Sequence, residues 1–127
     1  MPELLLVESR LSLCGWVKTT LNQHGCKVTR VLDIQQAEWA LRQCDFDLVF
    51  LASDTMLSCI ADVQHVRRRS TLPLFALLPS LTETEHAALI QAGVDELICE
   101  NTTRETLWTQ TENWLSRVAH RPERQRY

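Results

Sequence analysis

Short apolar runs alternate along the chain with longer stretches in which apolar residues return every three or four positions. The runs are Leu4 to Val7, Val28 to Val31, Leu48 to Ala52, Leu74 to Leu78 and Glu96 to Cys99. A run of this length, bounded by turn-forming residues, has the pattern of a strand covered on both faces. Strands that alternate with helical periodicity predict a parallel sheet with helices on both sides. The third and fourth runs are the most continuously apolar, which predicts central places for them in the sheet.

The intervening stretches carry helix punctuation. Leu13, Trp16, Val17 and Leu21 recur at helical spacing before a stop at His24-Gly25, where glycine serves a left-handed cap. Asp33 with Gln36 has the form of a capping box and opens a helix whose inward stripe is Ala37, Ala40 and Leu41. A third helix is predicted from Met56 to Arg69, with Ile60, Val63 and Val66 inward. Arg67, Arg68 and Arg69 read as a solvated end matched to the helix dipole. The fourth has two candidate caps, Ser80 with Glu83 and Thr82 with Glu85, and ends at Gly93. The fifth is predicted to open at Thr102 with Glu105 and to bury Leu107, Thr111, Trp114, Leu115 and Val118. Residues 1–120 thus read as one domain and 121–127 as a tail or the start of a linker.

Composition adds mainly exclusions. At 127 residues, 45% hydrophobic and 23% charged, the chain has the balance of one soluble globular domain. A formal charge of -3 gives no general attraction to nucleic acid, which is not expected as a partner of this domain. No run approaches the roughly 18 apolar residues of a membrane span, and the N-terminus lacks the pattern of a leader, so the cytoplasm is the expected location and no membrane partner is expected. Five cysteines without a C-x-x-C pair indicate neither a zinc site nor a disulfide framework and read as small buried hydrophobes. With three glycines in the chain, no glycine-rich phosphate loop can be formed. The four histidines share no metal or catalytic spacing and read as surface residues.

The order of five strand-helix pairs, together with its punctuation, resembles the receiver domain of two-component response regulators over residues 3 to 119. The resemblance implies an α/β, flavodoxin-like (βα)5 three-layer sandwich with a parallel sheet of order 2-1-3-4-5. It also implies a site where the carboxyl ends of the strands converge. In that family an acidic pair ends strand one, a phosphoacceptor Asp strand three, a Thr or Ser strand four, and Lys-Pro strand five. LLLVES, DLVFLA, PLFALLP and AGVDELICEN occupy the corresponding places here. Glu8 then keeps the first acid, Ser9 stands where the second is expected, Ala52 takes the phosphoacceptor position and Leu78 the Thr/Ser position. Glu100 and Asn101 stand for Lys-Pro, and Leu97 replaces an aromatic residue.

The resemblance therefore implies a degenerate pocket of Glu8, Ser9, Ala52, Asp54, Leu78 and Glu100. Ala52 has no heteroatom to accept a phosphoryl group, and Glu100 puts negative charge where the family uses positive charge. No enzymatic activity and no cofactor are expected. The expected role is a phosphorylation-independent receiver that acts as a protein-interaction or dimerisation module through helix 4, strand 5 and helix 5. Arg104, Trp108 and Glu112 are the interface candidates, with Trp108 alternatively covering the domain's own core edge. Rival readings are a displaced phosphoacceptor at Asp54 and a flavodoxin-like domain that binds a small ligand or metal. A weak divalent site could use Glu8 and Asp54 beside Glu100, unless Arg10 or solvent relieves their repulsion. Cys99, at the rim, is either a redox-sensitive thiol or a packing residue.

Overall fold

The computed structural model describes residues 1–8 and 15–119. Strands and helices alternate among them: β1 (Glu3–Val7), α1 (Gly15–Gln23), β2 (Lys27–Val31), α2 (Ile34–Gln43), β3 (Leu48–Ala52), α3 (Met56–Arg69), β4 (Leu74–Leu78), α4 (Glu83–Ala92), β5 (Glu96–Cys99) and α5 (Arg104–Ala119). The strands form one parallel sheet of order β2-β1-β3-β4-β5, the flavodoxin-like arrangement expected from the sequence. The tail assigned to 121–127 lies outside the described residues, as do Leu13 of the first helical stripe and Cys14.

Pairing follows burial. β3 lies between β1 and β4, and its residues Leu48 to Leu51 are all buried, as a strand with neighbours on both edges and helices on both faces requires. β2 is an edge strand whose KVTRV sequence contains Thr and Arg, and none of its residues is fully buried. Side chains alternate across the sheet. Leu5, Val7, Val49 and Leu51 enter one core layer with Ala37 of α2, Cys59, Val63 and Val66 of α3, and Leu89 of α4. Leu4, Leu6, Leu48 and Phe50 enter the opposite layer with Val17 and Leu21 of α1 and Leu107 of α5. Phe50 and Phe75 meet there with ring centroids 4.8 Å apart. Burying each such Leu or Phe is worth about 1.5–3 kcal/mol, so the layers dominate stability.

The helix starts show which capping signals are used. Asp33 Oδ1 accepts the Gln36 N–H at 2.9 Å, while Gln36 Oε1 accepts from Leu32 N–H at 2.8 Å. Of the two candidates before α4, Thr82 with Glu85 forms the complete capping box. The start expected at Thr102 is corrected by the turn that follows β5. The Thr102 hydroxyl accepts the Cys99 N–H at 3.0 Å, which leaves Thr103 to accept from Thr106 N–H at 3.0 Å and cap α5.

The arginine run at the end of α3 is not uniformly solvated. Arg68 and Arg69 are exposed, and Arg69 Nε donates to Glu38 Oε2 at 3.1 Å. Arg67 turns inward and donates to the carbonyls of Gly93 at 2.9 Å, Leu72 at 2.7 Å and Ser70 at 3.3 Å. Its Nη2 donates to Asp95 Oδ2 at 2.9 Å, and the same oxygen accepts the Leu74 N–H at 2.9 Å. One guanidinium thus ties the amino ends of β4 and β5 to the end of α3. Gly93, at φ 120°, carries no Cβ that would press on the Arg67 side chain 3.1 Å away. The cysteines divide as well: Cys26 and Cys59 are buried as expected, whereas Cys44 is exposed and Cys99 is half-buried.

Arg67→Met should strand several carbonyls and Asp95, lowering unfolding free energy in urea by about 2–4 kcal/mol. Arg69→Met should stay within about 0.5 kcal/mol of wild type. Burial pushes the Cys59 thiol up from 9.0 to about 11, with opposing help from Ser53 and a further rise from Asp62. The unfolded thiol ionises first, so this contribution is intact below the unfolded value of 9.0 and is lost as pH rises towards about 11. Over that window wild type should lose stability more steeply than Cys59→Ala, measured by urea unfolding at matched pH.

Candidate functional site

The carboxyl ends of β1, β3, β4 and β5 point the same way, and register determines what meets there. Val7 pairs with Leu51, so Glu8 stands beside Ala52; Ala52 itself pairs with Leu77, and Leu78 with Cys99. Main-chain bonds continue one residue past the strands, from Glu8 N–H to Val31 at 2.9 Å and from Ser53 N–H to Leu77 at 3.0 Å. A longer bond joins Glu100 N–H to Pro79 at 3.3 Å.

Side chains at these positions do not all share one space. Ala52 is partly buried and packs with the α1 and α5 layer, whereas Leu78 enters the layer under α2, α3 and α4. Asp54 and Glu100 are exposed. Glu8 is 2% exposed. Ser9 and Arg10 lie outside the described residues. Ser53 is buried beside the Cys59 thiol without a well-formed hydrogen bond, on the face of β3 opposite to Ala52.

The residue that sequence reasoning missed is Arg30. It sits in β2 opposite Leu6, which puts it on the same face as Glu8. Its Nε donates to Glu8 Oε1 at 2.9 Å, and its Nη2 donates to the Glu8 carbonyl at 3.2 Å. The pair is largely withdrawn from solvent, with side-chain exposures of 21% for Arg30 and 3% for Glu8. Glu8 Oε2 is buried and finds no hydrogen-bond partner among the described residues. A signal existed: Arg30 is the one charge inside the KVTRV strand after its first residue, alternating with Val28 on the face turned to α1.

The fold family implies a divalent metal at these strand ends, and the residues present do not fit one. Magnesium takes six oxygens in near-octahedral geometry, usually through one or two carboxylates and several waters. Ala52 supplies no donor, and Glu8 Oε1 is already engaged by the guanidinium. A dication at Oε2 would share one carboxylate with that guanidinium, and two like charges so placed repel each other. Among the described residues no group of three or more His, Cys, Asp or Glu is placed to hold an ion.

At the rim, burial pushes the Cys99 thiol up, which makes the reactive thiolate scarcer. On α5, Arg104 and Glu112 are exposed. Trp108 is half-buried and stacks on His24 with centroids 4.2 Å apart and planes 18° from parallel, so its ring covers the seam between α1 and α5. Glu96, read from the sequence merely as a strand residue, organises the other side of α5. Its Oε1 accepts from Gln110 Nε2 at 3.1 Å and its Oε2 from Trp114 Nε1 at 2.9 Å.

No protein-family model matches the chain, and no curated protein matches it. Solved structures match over nearly its whole length. The receiver domain of the Francisella response regulator 1452 gives a TM-score of 0.80 at 15% identity, covering 92% of this chain and 98% of that one. A response regulator from Thermotoga maritima gives 0.81 at 19% identity, covering 91% and 98%. The receiver domain of the sensor histidine kinase PA1611 from Pseudomonas aeruginosa, with a magnesium ion coordinated in its active-site cleft, gives 0.74 at 20% identity, covering 91% and 98%. Likeness at these identities speaks to architecture. The parallel order β2-β1-β3-β4-β5, interleaved with helices on both faces, gives this chain the flavodoxin-like, CheY-like fold of response-regulator receiver domains.

Proposed function

We propose that the chain is a receiver-like domain of two-component signalling that works without phosphorylation of an aspartate, as a protein-interaction or dimerisation module. The observation that carries this reading is Ala52, which ends β3 beside Glu8 and presents a methyl group where the fold's strand-end site would need a nucleophile. The exposed carboxylate position of Glu100 at the end of β5 supports it, because phosphoryl transfer draws on positive charge there. Without the phosphorylation cycle, regulation falls to any partner that binds two conformations of the domain unequally.

The proposed contact surface is the face of α4, β5 and α5. Arg104 and Glu112 are exposed on α5 and available to a partner or a second copy. They lie at the edge of that face nearer α1, where Trp108 stacks on His24, and not beside β5, where Glu96 meets Gln110 and Trp114.

Incubation with acetyl phosphate and magnesium, followed by peptide mass spectrometry, should leave the chain without a phosphoryl group. A modified Asp54 would overturn the reading in favour of a displaced phosphoacceptor. Sedimentation velocity over a concentration series tests the surface: truncating both side chains with Arg104→Ala and Glu112→Ala should weaken self-association roughly tenfold without lowering the unfolding midpoint. Unchanged association would place the contact elsewhere on the domain.

A further inference from the structure

We infer that Arg30 is a tethered counter-cation that does at this strand-end pocket what a diffusible divalent ion would otherwise do, and that it keeps the pocket closed to metal. The inference goes beyond the proposed function and does not depend on whether any residue is phosphorylated.

Three observations carry it. Glu8 is 2% exposed, so its charge needs a compensating charge on the spot rather than solvent. Arg30 supplies that charge with two bonds, Nε to the Glu8 carboxylate at 2.9 Å and Nη2 to the Glu8 carbonyl at 3.2 Å, which orient the guanidinium as well as placing it. The Arg30 backbone is held in β2 by its pairing opposite Leu6, so the cation is positioned by the sheet and needs no ion from solution. Glu8 Oε2, buried and without a partner among the described residues, marks where an ion would bind if the guanidinium were withdrawn. With Arg30 in place, that position lies next to a permanent positive charge, because an arginine does not deprotonate in proteins. The electrostatic state of the pocket is then independent of the surrounding magnesium concentration.

The test is a titration of the whole chain with manganese alone, with free ion followed by electron paramagnetic resonance, and thermal unfolding with and without the metal. Wild type should show no saturable binding and no shift in midpoint. Arg30→Met should have a lower midpoint without metal and should show saturable manganese binding, with a matching metal-dependent rise in midpoint. Arg30→Lys, which keeps the charge, should remain insensitive to metal, and Arg30→Met combined with Glu8→Gln should lose the gained binding. A purely structural ion pair would lower the midpoint of Arg30→Met without any response to manganese, and that outcome overturns the inference. So does wild type binding manganese as tightly as Arg30→Met, or Arg30→Lys behaving like Arg30→Met. Should Arg30→Met fail to fold alone, folding recovered by manganese supports the inference, and folding not recovered overturns it.

Discussion

The burial of β3 on every side is the constraint from which the rest follows. Its backbone pairs with β1 and β4, and its side chains fill two core layers that alternate residue by residue. A slip of one residue would exchange the two layers and send each apolar side chain to the wrong helices. The register of β3 is therefore tightly specified, and with it the identity of whatever stands at the strand's carboxyl end. Ala52 is at that tip because Val49 and Leu51 must face α3 while Leu48 and Phe50 face α1 and α5.

Charge is admitted to this interior at opposite ends of the sheet, each time through an arginine whose bonds are well satisfied. Arg67 gathers carbonyls and Asp95 at the amino ends of β4 and β5, and Arg30 engages Glu8 at the carboxyl ends of β2 and β1. The two differ in consequence. Arg67 joins the turns before β4 and β5 to the end of α3, a structural task. Arg30 engages a buried carboxylate at the carboxyl ends of the strands, so its loss would leave a withdrawn charge unpaired. A guanidinium suits both tasks because its planar fork reaches several acceptors at once and stays charged when half withdrawn from water.

The helices show a related division between local rules and what overrides them. Thr82 and Glu85 form the capping box their spacing announces, since that motif is closed within one turn. Thr102 has a spacing equally suited to a cap, yet its hydroxyl is taken by the Cys99 N–H of the preceding strand, and Thr103 caps instead. Trp108 behaves likewise. Its position on the helical wheel leaves it at the flank of the buried stripe, and the outcome depends on His24, a residue of the α1 terminus that becomes its neighbour through α1–α5 packing.

Strand and helix periods, and the turn chemistry between them, were enough to read the five strands, the third helix from Met56 to Arg69 and the layered architecture, because these are set by local patterns of burial. The identities of the residues at the strand ends, Ala52, Leu78 and Glu100, were equally legible once the strands were placed. The partner of Glu8 was not, since Arg30 is remote along the chain and meets it through the pairing of β1 with β2, where register rather than sequence proximity decides contact. The separation of Leu78 from Ala52, the inward turn of Arg67 and the role of Glu96 beneath α5 belong to the same class. Each depends on which face of a strand or helix a side chain takes once distant elements have packed together, and no local period carries that information.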